Sequence, residues 1–408
     1  MNAVFGKNRQ KRDLTVAQQL ARGPVDMPFL MLVVMLTVIG VIMVFSASYT
    51  TAMNEGSKPY SYFARQAIFA GLGFAAMYVV AKIDYHRYRK AAPYVLLLAI
   101  LLLVVVLLPG FHTVRDDNVR RWLDMPSPIP DFQPSELAKL GVILYFSSRM
   151  ARRNERKPWR FNMKNPIGRV CKFLDQIGLW ELLPYGGIML AILILMKKEP
   201  HMSGLILILA AAGAIIFAGG LQWRWILAGL VFVVAIIAHS ISGTGYQNMR
   251  IEIWKDPWAH PQEGGFQIIQ SLYAIGSGGL FGVGLGQSRQ SKLFLPEPEN
   301  DFIFSIVCEE LGLVGAGLIL VLFAMLIIRG YWIAIHARDR FGALLVVGIT
   351  TLLAVQVFLN IAVVTNLLPT TGISLPFFSY GGTALVIQLA EMGIVLAVSR
   401  QIPAPKQG

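Results

Sequence analysis

Residues 294–312 read FLPEPENDFIFSIVCEELG: two prolines among carboxylates, then an apolar run that carries two adjacent glutamates, Glu309 and Glu310. What surrounds a segment like this decides the fold. The chain is 55% hydrophobic and 14% charged, with a mean hydropathy of +0.58. A soluble domain carries about 25% charged residues. This chain therefore buries its apolar surface in lipid, and its 408 residues leave room for roughly ten spans of about 20 residues.

Outward from that stretch, apolar runs predict spans at 27–48, 62–81, 92–109, 135–148, 182–197, 202–219, 224–241, 302–328, 342–367 and 380–398. The fourth is short and holds Glu136 and Lys139. The fold class expected is an all-α polytopic membrane protein of about ten transmembrane helices with both termini cytoplasmic. Its parts are a basic arm at 1–26, one membrane domain at 27–399 and a tail at 400–408. A large extracytoplasmic loop, 242–301, lies between the seventh and eighth spans. Of the 36 Lys and Arg residues, 24 fall on the side of the termini and 11 opposite, which sets the orientation by the positive-inside rule. The first apolar run lacks a cleavage site for a signal peptide and is read as a retained span.

Several function classes drop out. The net charge of +13 sits in loops flanking spans, where it orients the chain, and no nucleic-acid signature accompanies it. Cys171 and Cys308 form neither a disulfide framework nor a metal-ligand spacing. No loop on the side of the termini is large enough for a nucleotide-binding domain, and there is no Walker motif.

Chemistry is expected in three segments on the opposite side. In 242–301, apolar residues at Phe266, Ile269, Leu272, Tyr273 and Ile275 alternate with Gln267, Gln270 and Ser271, predicting a helix that lies in the interface or re-enters the bundle. The glycines from Gly276 to Gly286 read either as a bend or as a place where backbone N–H groups approach a phosphate. Asp301 reads either as the N-cap of the eighth span or as a catalytic carboxylate beside a helix N-terminus. Glu309 and Glu310 lie about 12–14 Å deeper along a helix, with Lys139 a candidate ion-pair partner. In the second segment, 119–140, Arg120 and Arg121 suit phosphate oxygens, and Trp122 suits an interface or a sugar face. In the third, 366–385, Pro369, Gly372 and Pro376 make a bent connection that is tolerated at membrane depth only when buried or lining a cavity. The three segments are expected to converge. Asp301 is the candidate catalytic residue. The candidate substrate contacts are Arg120, Arg121, Trp122, Glu136, Lys139, Gln270, Ser271, Glu297, Glu309, Glu310, Thr371 and Ser379.

Together, "RRW" with "QPSELAKL", "KEPHMSG" at 198–204, "GGFQIIQSLYAIGSGGLFGVGLGQS", "FLPEPENDFIFSIVCEELGLVG" and "LPTTGISLPFFSYGG" resemble the SEDS family (shape, elongation, division and sporulation), from about residue 28 to 399. The match is closest to its division and sporulation, FtsW-like, branch. The resemblance implies ten transmembrane helices in the bacterial cytoplasmic membrane and a peptidoglycan glycosyltransferase that polymerises lipid II. It places the family's essential aspartate at Asp301 and an important tryptophan at Trp122. It implies as partners lipid II and the nascent glycan, a class B penicillin-binding protein acting as transpeptidase, and other division or elongation proteins. Many members carry Pro-Asp where this chain has Pro200-His201, so no role of that aspartate carries over. Joining an α-linked sugar pyrophosphate through a β-1,4 bond inverts the anomeric carbon, and the reaction needs a base for the acceptor hydroxyl and charge to offset the pyrophosphate. The expected roles are Asp301 as base and Arg120, Arg121 or Lys139 against the pyrophosphate, with a divalent cation, Mg2+ or Mn2+, a further candidate. The rival expectation is a lipid II flippase using the same cavity without chemistry.

Overall fold

The structure, a computed structural model, describes residues 23–110, 121–125, 131–153, 179–199, 202–221, 225, 229, 246–262, 264–292 and 294–402. Eleven α-helices run in order through them. These are α1 (Met27–Asn54), α2 (Ser61–Lys82), α3 (Tyr85–Val106), α4 (Pro134–Ala151), α5 (Leu179–Lys198), α6 (Met202–Ala218), α7 (Tyr246–Lys255), α8 (Gly265–Ser277), α9 (Ile303–His336), α10 (Arg340–Val364) and α11 (Gly382–Ser399). Among the described residues no sheet forms, and an antiparallel bridge joins Leu123 to Phe132. Six helices, α1, α2, α3, α9, α10 and α11, are long and apolar enough to cross a membrane, so the chain is a multi-pass membrane protein. Nine of the expected apolar runs coincide with helices, their ends shifted by up to eight residues. The tenth, 224–241, lies outside the described residues apart from Trp225 and Gly229.

The bundle is organised around α10, whose apolar stretch is 72% buried, against 22% for α2. It packs on α4, α6 and α9, while α11 lies along α2 and α3 along α4. Between spans, polar side chains do the fastening. Asp26 accepts from the Phe29 N–H (3.0 Å) and caps α1. The same carboxylate receives Arg329 of α9 in a two-pronged pair, Nη2–Oδ2 at 2.7 Å and Nε–Oδ1 at 3.0 Å. At the same end Tyr85 donates to Asp339, the cap of α10, at 2.5 Å, and the Gly23 N–H donates to the Arg400 carbonyl at 2.8 Å.

α9 is not one straight helix. Gly312 breaks it with φ 65° and ψ −172°, a conformation essentially confined to glycine. The expected continuous eighth span is thus a short buried helix, 303–311, followed by a long one. The glycine-rich segment fills the break. Val283 and Gly284 donate to the Glu309 and Glu310 carbonyls at 3.0 and 3.1 Å, and Leu313 and Val314 donate to those of Gly279 and Leu280 at 2.9 and 3.1 Å. Gly276–Gly286 is therefore a packed backbone joint. In it the Val283 and Gly284 N–H groups are engaged by protein carbonyls.

α8 confirms the helical periodicity over 266–275, with a shifted buried face. Ile268, Ile269, Ser271 and Ala274 are buried, whereas Tyr273 is exposed. Ser271 can be inside because its hydroxyl is paired with the Ser305 hydroxyl (2.6 Å) and the Val364 carbonyl (2.7 Å).

Candidate functional site

At the end of the bundle away from Gly23 and Arg400, three chain segments close around a cavity of about 1250 Å³. They are 121–125 with 131–136, 297–301 and 372–385, joined by the last turn of α1 and the first turns of α2, α4 and α6. The non-helical segment 366–381 has backbone groups that helices cannot satisfy internally, so side-chain amides do it. Asn360 of α10 donates to the Asp301 and Ile373 carbonyls at 2.7 Å each. Gln356 donates to the Ser374 carbonyl (3.0 Å), and Gln388 accepts from the Phe377 N–H (2.9 Å). Gln66 bridges the Ser379 carbonyl (3.2 Å) and the Gly381 N–H (3.3 Å). Such backbone at membrane depth persists only with this kind of support.

Asp301 lines the cavity just ahead of α9. The cap position of that helix is Phe302, with no side-chain capping bond, so the capping role does not occupy the Asp301 carboxylate. The φ of Gly372 is +67°, and a side chain built there would meet the Asp301 carboxylate at 3.8 Å. Burial pushes the Asp301 carboxyl up to about 6, its own backbone N–H opposing, Glu297 adding and Arg250 opposing. Two further carboxylates are raised nearby. Burial pushes Glu299 to about 7 and Glu199 to about 8, the latter against the pull of Arg121.

Arg121 and Trp122 line the cavity, held beside the start of α4 by the Leu123–Phe132 bridge, while Arg121 Nε donates to the Glu199 carbonyl at 3.3 Å. Arg120 lies outside the described residues. Glu136 and Lys139 line the deeper wall and pair with each other at 2.7 Å, and Lys139 also faces Glu391 of α11. This corrects the expected partnership of Lys139 with Glu309 or Glu310. Glu297 lines the mouth, and Ser379 lines the wall with its hydroxyl oxygen accepting from the Leu375 N–H at 2.7 Å. Thr371 sits beside the lining residue Gly372 but does not itself line the cavity.

Besides Thr371, four candidates do not line this cavity. Gln270 and Ser271 stay on α8, where Ser271 pins helices together. Glu309 accepts from the Ser288 hydroxyl (2.5 Å) and the Arg289 N–H (2.9 Å), and Glu310 accepts from the Ser46 hydroxyl (2.6 Å). Both glutamates are 1% exposed and serve as acceptors for the turn that folds back over the α9 break. The sequence reading missed Glu55, Tyr62, Arg65 and Glu299, all lining the cavity. A charge in the first turn of an apolar span, as in SYFARQ, was the available signal for Arg65. Among the described residues no three His, Cys, Asp or Glu side chains converge on a metal position.

Comparison with known proteins agrees with this arrangement. Residues 27–403 match the FtsW/RodA/SpoVE family, described as cell cycle proteins. The chain is 38% identical over 377 residues to the probable peptidoglycan glycosyltransferase FtsW of Geobacter metallireducens, covering 92% of this chain and 95% of that one. It is 38% identical over 375 residues to stage V sporulation protein E of Bacillus subtilis, covering 92% and 97%. Among solved structures it superposes with a TM-score of 0.73 on a chain of a peptidoglycan synthase complex that coordinates polymerization and crosslinking, at 26% identity, covering 93% of this chain and 99% of that one. For the rod shape determining protein RodA of Thermus thermophilus the TM-score is 0.65, at 26% identity, covering 93% and 97%. With a family match across nearly its whole length and the same helical frame as these relatives, this chain belongs to the FtsW/RodA/SpoVE family.

Proposed function

We propose that the chain is a peptidoglycan glycosyltransferase that polymerises lipid II into β-1,4-linked glycan at the outer face of the bacterial cytoplasmic membrane. The observation that carries it is an uncapped carboxylate, Asp301, lining a large cavity with both apolar and charged walls. Such a hollow suits a substrate made of a lipid tail, a pyrophosphate and sugars. Ten spans put this end of the bundle outside, with 242–301 as the large outer loop.

The reaction is a displacement at the anomeric carbon of the donor. The acceptor 4-hydroxyl attacks, its proton passes to an Asp301 oxygen, the carbon–oxygen bond to the pyrophosphate breaks, and its electron pair leaves with the polyprenyl pyrophosphate. A carboxyl near 6 is ionised at neutral pH yet more basic than an ordinary aspartate, which suits a general base. Of the cations on the cavity wall, Arg65, Arg121 and Lys139, the last two offset the leaving-group charge. A class B penicillin-binding protein is the proposed partner, so that crosslinking follows polymerisation.

The deep Glu136–Lys139–Glu391 group supports the rival reading, a flippase, since ionisable side chains at depth also mark translocation paths. Polymer formed from lipid II by purified chain in detergent, with no membrane to cross, decides for the enzyme. Asp301→Asn, which keeps the shape and removes the base, lowers turnover by about 10²–10⁴-fold. Unchanged turnover in folded Asp301→Asn protein removes Asp301 from the role of base.

A further inference from the structure

One carboxylate of the cavity has no role in the displacement reaction. Glu299 is only 4% exposed, yet it lines the cavity. Its carbonyl accepts from the Tyr380 N–H at 2.8 Å, which fixes the peptide, while its Oε2 has no protein hydrogen-bond partner. A buried acceptor left without a donor is costly and calls for a reason.

The surroundings supply one. The rings of Tyr62 and Tyr380 lie 4.9 Å apart at 59°, and both line the same cavity. Tyr62 donates its hydroxyl to Glu55, at 2.9 Å to Oε2, and Glu55 lines the cavity too. Glu55, Glu297, Tyr62 and Tyr380 lie around Glu299, and Arg65, one turn beyond Tyr62 on α2, lines the same cavity. Three carboxylates, Glu55, Glu297 and Glu299, beside two aromatic rings repel a pyrophosphate, and among the described residues they do not converge on a metal position. They match a sugar ring: aromatic faces cover its C–H surface, and carboxylate oxygens accept from its hydroxyls.

We propose that Glu299, Glu55, Tyr62 and Tyr380 form a saccharide subsite, which holds a sugar ring of the substrate beside Asp301 while the pyrophosphate lies toward Arg121 and Lys139. This rests on the glycosyltransferase reading and specifies which end of the substrate meets which wall. Glu299 positions and selects the sugar and takes no proton in the reaction.

The test uses the full chain in detergent, with Glu299→Gln and Tyr62→Ala. One arm follows polymerisation of lipid II. The other follows binding of the lipid-free, phosphate-free disaccharide-peptide by saturation-transfer NMR. Loss of one charge-assisted hydrogen bond in Glu299→Gln raises KM about tenfold, with a smaller change in kcat. Disaccharide binding weakens in both variants, while the thermal midpoint of Glu299→Gln stays at or above that of the parent. Unchanged KM and disaccharide binding in both variants overturn the subsite, as does a parent chain that polymerises lipid II but binds no disaccharide. A parent chain that binds disaccharide through these residues but makes no polymer supports the subsite and overturns the glycosyltransferase reading. Binding of inorganic pyrophosphate that strengthens in Glu299→Gln without any saccharide effect assigns this wall to the phosphate and also overturns the proposal.

Discussion

At the scale of single residues, two carboxylates two positions apart answer to different surroundings. Asp301 is raised to about 6 and Glu299 to about 7, both chiefly by burial. A base works only when deprotonated, so polymerisation falls as pH drops through about 6, in kcat/KM as well as in kcat. A second limb near 7 belongs to substrate capture and appears in kcat/KM. Rate–pH profiles of the parent and Glu299→Gln check this: the variant loses the limb near 7 and keeps the one near 6. A variant that loses both limbs couples the two groups, contrary to a division of labour between base and sugar ligand. Asp301, Trp122 and Arg121 were legible in the sequence because each sits in a motif whose chemistry is local. The amides Gln66, Gln356, Asn360 and Gln388 were not, although a polar side chain inside an apolar span was their signal. Their purpose shows only once the irregular segment 366–381 lies against them. Lys139 finds Glu136 one turn away, an i,i+3 spacing that the sequence does show, and Glu391 on another helix, which no one-dimensional reading reveals.

At the scale of elements, α9 shows what apolar runs conceal. Hydropathy marks 302–328 as one span because isolated glycines in such a run, here Gly312, Gly315 and Gly317, are usually tolerated. The break at Gly312 depends on backbone that returns from 278–284, which no local pattern announces. An added methyl at Gly312 would lie 2.3 Å from the Gly282 nitrogen and 2.6 Å from the Leu280 carbonyl oxygen, in a backbone conformation that already costs about 1–3 kcal/mol for other residues. Gly312→Ala therefore lowers the yield of monodisperse protein in detergent and its thermal midpoint far more than Gly317→Ala, where an added methyl meets nothing within 4 Å. Equal midpoints for the two variants exclude the joint as a stabilising feature. α8, by contrast, was legible from its periodicity, and only its buried face needed the structure, since Ser271 is inside through two hydrogen bonds.

At the scale of the whole molecule, the bundle puts Gly23 and Arg400 at one end and the cavity at the other. The surplus of Lys and Arg predicts the cavity end outside. With Cys171 replaced by Ser, a membrane-impermeant maleimide added to intact cells labels Ser57→Cys, beyond the end of α1, and spares Lys90→Cys near the start of α3. Both positions are exposed. The reverse pattern inverts the topology and leaves Asp301 facing the cytoplasm, away from any extracellular sugar.

The clasp between Gly23 and Arg400 makes the described fold nearly a closed ring of chain. Splicing those two ends and reopening the ring in an exposed turn would rearrange the order of synthesis while leaving the packing among helices intact. A permutant that still assembles would show that the architecture resides in the contacts and not in the sequence in which spans enter the bilayer.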